Sequence, residues 1–278
     1  MSRRRLLPIA AVTLTTTALL LSAPAPAHAE AGPPPVSMAA IGDSITRGFN
    51  GCGWFSDCTA RSWSTGTDVG VNSHYLRIRA LKSSISGRNY NVARTGARSD
   101  ALPGQAQAAV AQGAGYVTIL IGANDACASS ESAMTPVATF RARIDAGLAT
   151  LKSGVPNAKV FIVSIPDLKR LWYVGKGNSS ARSAWSLFGI CKAMLERPTS
   201  TAPADEARRD RVRQRVADYN AQFAAACAAY GPNCMTDGNA AFEYPFALNQ
   251  LSTWDYFHPN ATGQRILAQL SYQAGFNW

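Results

Sequence analysis

The sequence predicts an α/β fold, a parallel sheet covered by helices on both faces. Two observations carry this. Short β-branched, apolar runs alternate along the chain with longer segments of helical spacing, the pattern of strands joined by helical crossovers. Two of the runs, residues 116–121 and 160–165, show no polar alternation, as expected of strands buried on both sides.

The elements follow in chain order. Residues 36–41 form a short apolar run that stops at Gly42, and this is the first strand. A helix is expected over 76–83, then a second strand over 90–93, ending at Arg94-Thr95-Gly96. Residues 105–112 are alanine-rich and helical. The third strand, 116–121, runs into Gly122. Residues 136–152 place apolar side chains at 137, 140, 144, 148 and 151 and stop before Gly154 and Pro156, which marks an amphipathic helix and its end. The fourth strand, 160–165, closes at Pro166, and a weaker fifth is expected at 234–236. Residues 205–229 carry Val212, Val216, Tyr219 and Phe223 on one helical stripe, and 261–274 form the last helix. Residues 168–203 show no clear period and contain Gly175, Gly177 and an Asn178-Ser179-Ser180 turn signal. A long loop covering the functional site is expected there.

The chain has 278 residues. Arg3 to Arg5 precede an apolar run over 6–21, and Ala27-His28-Ala29 is a small-x-small cleavage signature. Residues 1–29 are therefore read as a secretory signal peptide, too short in its apolar core for a membrane span. The adjacent arginines leave general secretory and twin-arginine export both open. Residues 30–36 are expected to be a short flexible leader and 37–278 a single domain. Without the three signal arginines the 27 basic residues become 24, against 17 acidic. They are scattered except in Arg208-Arg209-Asp210-Arg211-Val212-Arg213-Gln214-Arg215. A solvated helix face is the expected reading of that run, with contact to an anionic lipid surface as its alternative. No nucleic-acid-binding signature accompanies it.

Six cysteines, at 52, 58, 127, 191, 227 and 234, favour disulfides in an exported chain. None shows zinc-ribbon spacing, and no metal is expected. Loop-closure entropy favours Cys52–Cys58 and Cys227–Cys234, which leaves Cys127–Cys191 as a long staple tethering the 168–203 segment.

In an open parallel sheet, functional groups gather at the carboxyl ends of the strands. Gly42-Asp43-Ser44 follows the first strand, Gly96 the second and Gly122-Ala123-Asn124-Asp125 the third. Asp255-Tyr256-Phe257-His258-Pro259 precedes the last helix. Singly, each is ordinary turn or cap chemistry. Together they supply what a serine nucleophile requires. Ser44 needs a base, which His258 provides, and Asp255 at three residues' distance can fix the imidazole tautomer. A tetrahedral oxyanion needs aimed donors, and the N–H groups of Ser44 and Gly96 with the Asn124 amide make three. His74 has no carboxylate at such spacing and is expected to be structural.

These four blocks resemble those of the SGNH (GDSL-type) serine hydrolases, with Gly42-Asp43-Ser44-Ile45, the looser block around Gly96, Gly122-Ala123-Asn124-Asp125 and Asp255-Tyr256-Phe257-His258. The resemblance spans about residues 37 to 275. It implies a three-layer α/β/α sandwich with a flavodoxin-like sheet, no cofactor, and hydrolysis of carboxylic esters through an acyl-enzyme. Arg61-Ser62-Trp63-Ser64-Thr65-Gly66-Thr67-Asp68 with Ala126-Cys127 and Pro259-Asn260 is similar to the phospholipase-B-like branch and to secreted actinobacterial lipases. That similarity implies a lipid acyl ester as substrate; a secreted monomer is expected, with transient contact to lipid surfaces open. Carbohydrate acetyl esters on the same scaffold stay open. Trp54, Trp63, Trp172, Tyr173, Trp185 and Phe188 could line an acyl groove or stack on sugars, though such residues are more often core. An α/β-hydrolase lipase would require a G-x-S-x-G elbow, which the sequence lacks. A non-catalytic binding module would have lost at least one of the four blocks.

Overall fold

The computed structural model describes residues 32–278; the expected signal peptide and the first residues of the leader lie outside them. The sheet has five parallel strands: β1 (Met38–Gly42), β2 (Asn89–Asn91), β3 (Tyr116–Leu120), β4 (Lys159–Ile162) and β5 (Cys234–Thr236). Their order is β2-β1-β3-β4-β5, the flavodoxin-like arrangement. Every residue of β1 and β3 is buried, which accounts for their unbroken apolar character.

Among the described residues ten α-helices flank the sheet. They are α1 (His74–Leu81), α2 (Leu102–Ala111), α3 (Ala123–Ala126), α4 (Val137–Gly154), α5 (Leu168–Gly175), α6 (Ser179–Leu187), α7 (Lys192–Leu195), α8 (Pro203–Tyr230), α9 (Ala240–Glu243) and α10 (Ala261–Gln273). Helices α2, α4 and α8 pack side by side on one face. On the other, α1 and α10 meet the sheet around His74, which is fully buried. Ser271 Oγ donates to the Leu267 carbonyl, so His74 Nε2 donates to Ser271 Oγ (2.8 Å) and Nδ1 accepts from the Tyr116 hydroxyl (2.9 Å). Burial pushes its pKa down to about 3, so this imidazole is a neutral core group.

The 168–203 segment is not the expected loop. It folds as α5, α6 and α7. Asp167 accepts from the Lys169 and Arg170 N–H groups, and Asn178 from Ala181 N. Asn178, which reads as turn punctuation, is therefore an N-cap, as is Asp167. Trp172 and Trp185 are buried beneath these helices.

The basic run on α8 is only in part the expected solvated face: Asp210, Arg211, Arg213 and Gln214 are exposed, but its arginines are also bonded within the fold. Arg209 is fully buried, its guanidinium 4.2 Å from the centre of the Trp172 ring and bonded to Glu206. Arg208 donates to the Ala193 and Glu196 carbonyls, Arg211 pairs with Glu131, Arg213 with Asp167, and Arg215 donates to the Thr135 carbonyl. The run fastens the α5–α7 segment and the 131–135 loop to the long helix. Arginine suits this because its planar fork reaches several carbonyls and stacks on indole.

Three disulfides join Cys52–Cys58, Cys127–Cys191 and Cys227–Cys234. No helix among the described residues is long and apolar enough to cross a membrane.

Candidate active site

The chain reverses its winding between β1 and β3, and the ends of these strands open the crevice. Gly42 ends β1 at φ +150°, where a Cβ would stand 2.1 Å from the Leu120 carbonyl oxygen; only glycine lets the two strand ends approach so closely. Gln105 of α2 grips it from the side, accepting from Gly42 N (2.6 Å) and donating to Gly42 O (2.9 Å). Gln264 of α10 donates to the Ile45 carbonyl (2.8 Å). The turn carrying Ser44 is thus held from both faces of the sheet.

Ser44 Oγ lies 2.8 Å from His258 Nε2, and His258 Nδ1 lies 2.5 Å from Asp255 Oδ2. An ionised carboxylate only accepts, so Nδ1 carries the proton and Nε2 is left to accept from the Ser44 hydroxyl. Asp255 is buried and also accepts from the backbone N–H groups of Phe257 (3.0 Å) and His258 (3.1 Å). A further donor was not legible in the sequence: Asn50 Nδ2, 2.7 Å from Asp255 Oδ2. Asn50 is buried with φ +62°, a conformation asparagine tolerates better than most residues.

The three expected oxyanion donors meet at the same mouth. Ser44, Gly96, Asn124 and His258 line one cavity of about 290 Å³. Among the described residues, neither the Ser44 nor the Gly96 N–H has a protein acceptor. Gly96, at the cavity wall, takes φ +79°, a conformation glycine adopts without strain. Asn124 Nδ2 donates to the Ala97 carbonyl (2.9 Å), leaving its second N–H free for a ligand. Asp125 accepts from Ser99 N (2.8 Å) and Ser99 Oγ (2.6 Å), so the Asn-Asp pair also anchors the loop after Gly96.

Asp43, beside the nucleophile, is buried; Oδ1 accepts from Ile45 N, and Oδ2 has no partner among the described residues. Burial pushes its carboxyl up to about 7, opposed in part by the Ile45 N–H and by the nearby His258.

The remaining wall is aromatic. Phe49 packs 4.9 Å from the His258 ring, Phe55 meets Phe49 edge-on at 5.1 Å, and Phe188 stacks on Phe55 at 5.5 Å. Phe257 borders this cavity and also a smaller apolar recess of about 50 Å³, lined by Ile45, Ala123, Ile165, Leu171 and Val174. The indole N–H of Trp185 donates to the Tyr256 carbonyl (3.1 Å), coupling α6 to the His258 loop. Of the aromatics singled out in the sequence, Trp63, Trp172 and Trp185 are core, whereas Trp54, Tyr173 and Phe188 are exposed. No group of three or more metal-ligating side chains occurs among the described residues.

A hydroxyl bonded to an imidazole and an imidazole bonded to a buried carboxylate, beside a cavity that Ser44, Gly96 and Asn124 line, can run nucleophilic acyl transfer. The model of the GDSL-like lipase/acylhydrolase family matches residues 40–266. The chain belongs to this family. It is therefore an SGNH-type hydrolase of the esterase/lipase kind, and the five-stranded α/β/α sandwich is the fold of that group. An extracellular lipase from Streptomyces rimosus superposes with a TM-score of 0.50 at 21% identity, over 86% of this chain and 99% of that one. A candidate GDSL-like lipase from Parabacteroides merdae gives 0.48 at 16%, over 89% and 98%. Phospholipase A1 from Streptomyces albidoflavus gives 0.40 at 17%, over 85% and 95%. At such identities the likeness to the first is one of fold. No curated protein matches the sequence significantly.

Proposed function

We propose that this family member is a secreted hydrolase of carboxylic esters bearing apolar acyl groups, with Ser44 as nucleophile. The observation that carries the reading is the unbroken Ser44–His258–Asp255 hydrogen-bond chain opening into an aromatic cavity. His258 takes the Ser44 proton as Oγ attacks the carbonyl carbon. The oxyanion is held by the N–H groups of Ser44 and Gly96 and by the Asn124 amide. His258 then protonates the leaving alcohol, and a water activated by the same imidazole releases the acid. Asp255 keeps the tautomer and stabilises the imidazolium.

A lipid acyl ester is favoured over an acetylated sugar by the lining. Phe49, Phe55, Phe188 and Phe257, with the apolar recess beyond Phe257, offer little to hydrogen-bond a glycan. The similarity to the phospholipase-B-like branch and to the Streptomyces rimosus lipase points the same way. Secretion is supported by the leading apolar segment and the three disulfides, with 1–29 as the export signal and 37–278 as the mature domain. The test is a product assay by mass spectrometry over phospholipids, triacylglycerols, p-nitrophenyl esters and acetylated glycans, run with wild type and Ser44→Ala. Fatty-acid release by wild type alone is expected. Release of acetate from glycans with no fatty acid would overturn the substrate assignment.

A further inference from the structure

Nine large apolar side chains are exposed among the described residues, and five of them fall in the three segments that border the Ser44 cavity: Trp54, Phe55, Leu187, Phe188 and Trp254. Scattered exposed leucines are ordinary on a protein surface, but a contiguous aromatic patch is not. The five come from three separate segments, which meet one another. Phe55 and Phe188 stack, and the Trp254 indole donates to the Gly53 carbonyl (2.6 Å), next to Trp54. Phe55 and Phe188 also line the Ser44 cavity, so the patch is continuous with the site.

The collar is presented rigidly. Trp54 and Phe55 lie inside the Cys52–Cys58 loop, and Leu187 and Phe188 stand just before Cys191, which is bonded to Cys127 at the cavity wall. Little ordering is left to be done on contact. The collar is also without free charge. Over 52–58, 185–191 and 252–258 the charged side chains are Asp57, bonded to Arg47 and Thr95, and Asp255, bonded to His258 and Asn50.

We propose that this collar docks the protein on an uncharged or zwitterionic lipid aggregate, with the Ser44 cavity facing the lipid. The inference rests on the ester-hydrolase reading above. A protein partner seated here would cap the Ser44 cavity, whereas a lipid surface delivers acyl chains into it. Indole rings suit the boundary between headgroups and acyl chains. The basic run on α8 does not serve this purpose, because its arginines are bonded within the fold.

The test uses folded Ser44→Ala protein, so that the vesicles stay intact, and measures cosedimentation with phosphatidylcholine vesicles, with and without phosphatidylserine. Salt is raised from about 0.1 to about 1 M, where screening shortens from about 10 to about 3 Å. Binding to pure phosphatidylcholine that is unchanged by phosphatidylserine or salt is expected. Leu187→Ser and Trp54→Ser, each added to Ser44→Ala, should lower the partition coefficient about tenfold or more, since each removes a largely exposed apolar side chain from the lipid contact. In the Ser44 background the same two changes should leave hydrolysis of monomeric p-nitrophenyl butyrate unchanged. Binding that requires phosphatidylserine and vanishes in high salt would overturn the proposal, as would partitioning indifferent to both substitutions. Failure of wild type on the monomeric ester would instead sink the hydrolase reading and leave the vesicle result to be judged alone.

Discussion

Asn50→Asp is the substitution that most sharply examines how Asp255 is held. Asparagine and aspartate share shape and tolerance for the left-handed backbone that position 50 adopts, so the turn is expected to survive. The chemistry changes sign. Asn50 Nδ2 now donates to Asp255 Oδ2 at 2.7 Å; in the variant two buried carboxyls share that contact. A hydrogen bond to a charged acceptor contributes about 1.5–3 kcal/mol, and its loss alone would lower kcat/KM about ten- to hundredfold if it acts fully on the transition state. Two carboxyls this close also retain a proton between them. When that proton sits on Oδ2 of Asp255, the His258 imidazolium loses its counter-charge. Activity then requires the carboxyl pair to release this proton, whose pKa the like charge raises, so the acid limb of kcat/KM is expected to move upward by about one pH unit or more. The assay is a pH–rate profile on a soluble p-nitrophenyl ester, with circular dichroism to check the fold. A profile that overlays wild type, with kcat/KM within about twofold, would show that Asn50 does not position the acid.

The other expectations are briefer. Asn124→Ala should lower kcat by about 10²–10³-fold with little change in KM if the amide serves the oxyanion; an effect confined to KM would count against that role. Arg209→Leu removes one partner of a fully buried guanidinium contact set and should cost about 3 kcal/mol, read as a Tm lower by about 6–12 °C; an unchanged Tm would mean the stacked arginine is not needed. Asp43 has its folded pKa raised from 3.8 to about 7. The unfolded chain loses this proton first, so the group's contribution is present at acid pH and fades as pH climbs through about 4 to 7. Urea denaturation should show wild-type stability falling by up to about 4 kcal/mol over that window from this group. Asp43→Asn should remove that slope; an identical slope in both proteins would refute the assignment.

How much could be read in advance follows from the range of each interaction. β3 and β4 were visible because burial on both faces leaves an apolar run, although both stop earlier than their hydrophobicity does. α4 was visible because its stripe repeats over four turns. α5 and α6 were not, because Asp167 and Asn178 look alike whether they cap a helix or make a turn. That Ser44, Gly96 and Asn124 would lie near one another was legible because they follow strand ends of one parallel sheet, and the Asp255–His258 contact because three residues separate the pair. Asn50 was not, since its partner lies 205 residues away and no local pattern marks a buried amide. The same holds for Gln105 and Gln264, which steady the Ser44 turn across 63 and 219 residues. In the arginine run the exposed positions read correctly as solvated, whereas Arg209 did not, because nothing in the charge spacing marks the residue that Trp172 is folded against.

The central claim is that Ser44 carries the acyl group. The most direct measurement is intact-protein and peptide mass spectrometry after rapid quenching with a slowly deacylating p-nitrophenyl ester. One acyl adduct is expected, on the peptide containing Ser44, forming with a burst of p-nitrophenol and absent from Ser44→Ala. Turnover retained by Ser44→Ala, or an acyl group lodged on another residue, would contradict it.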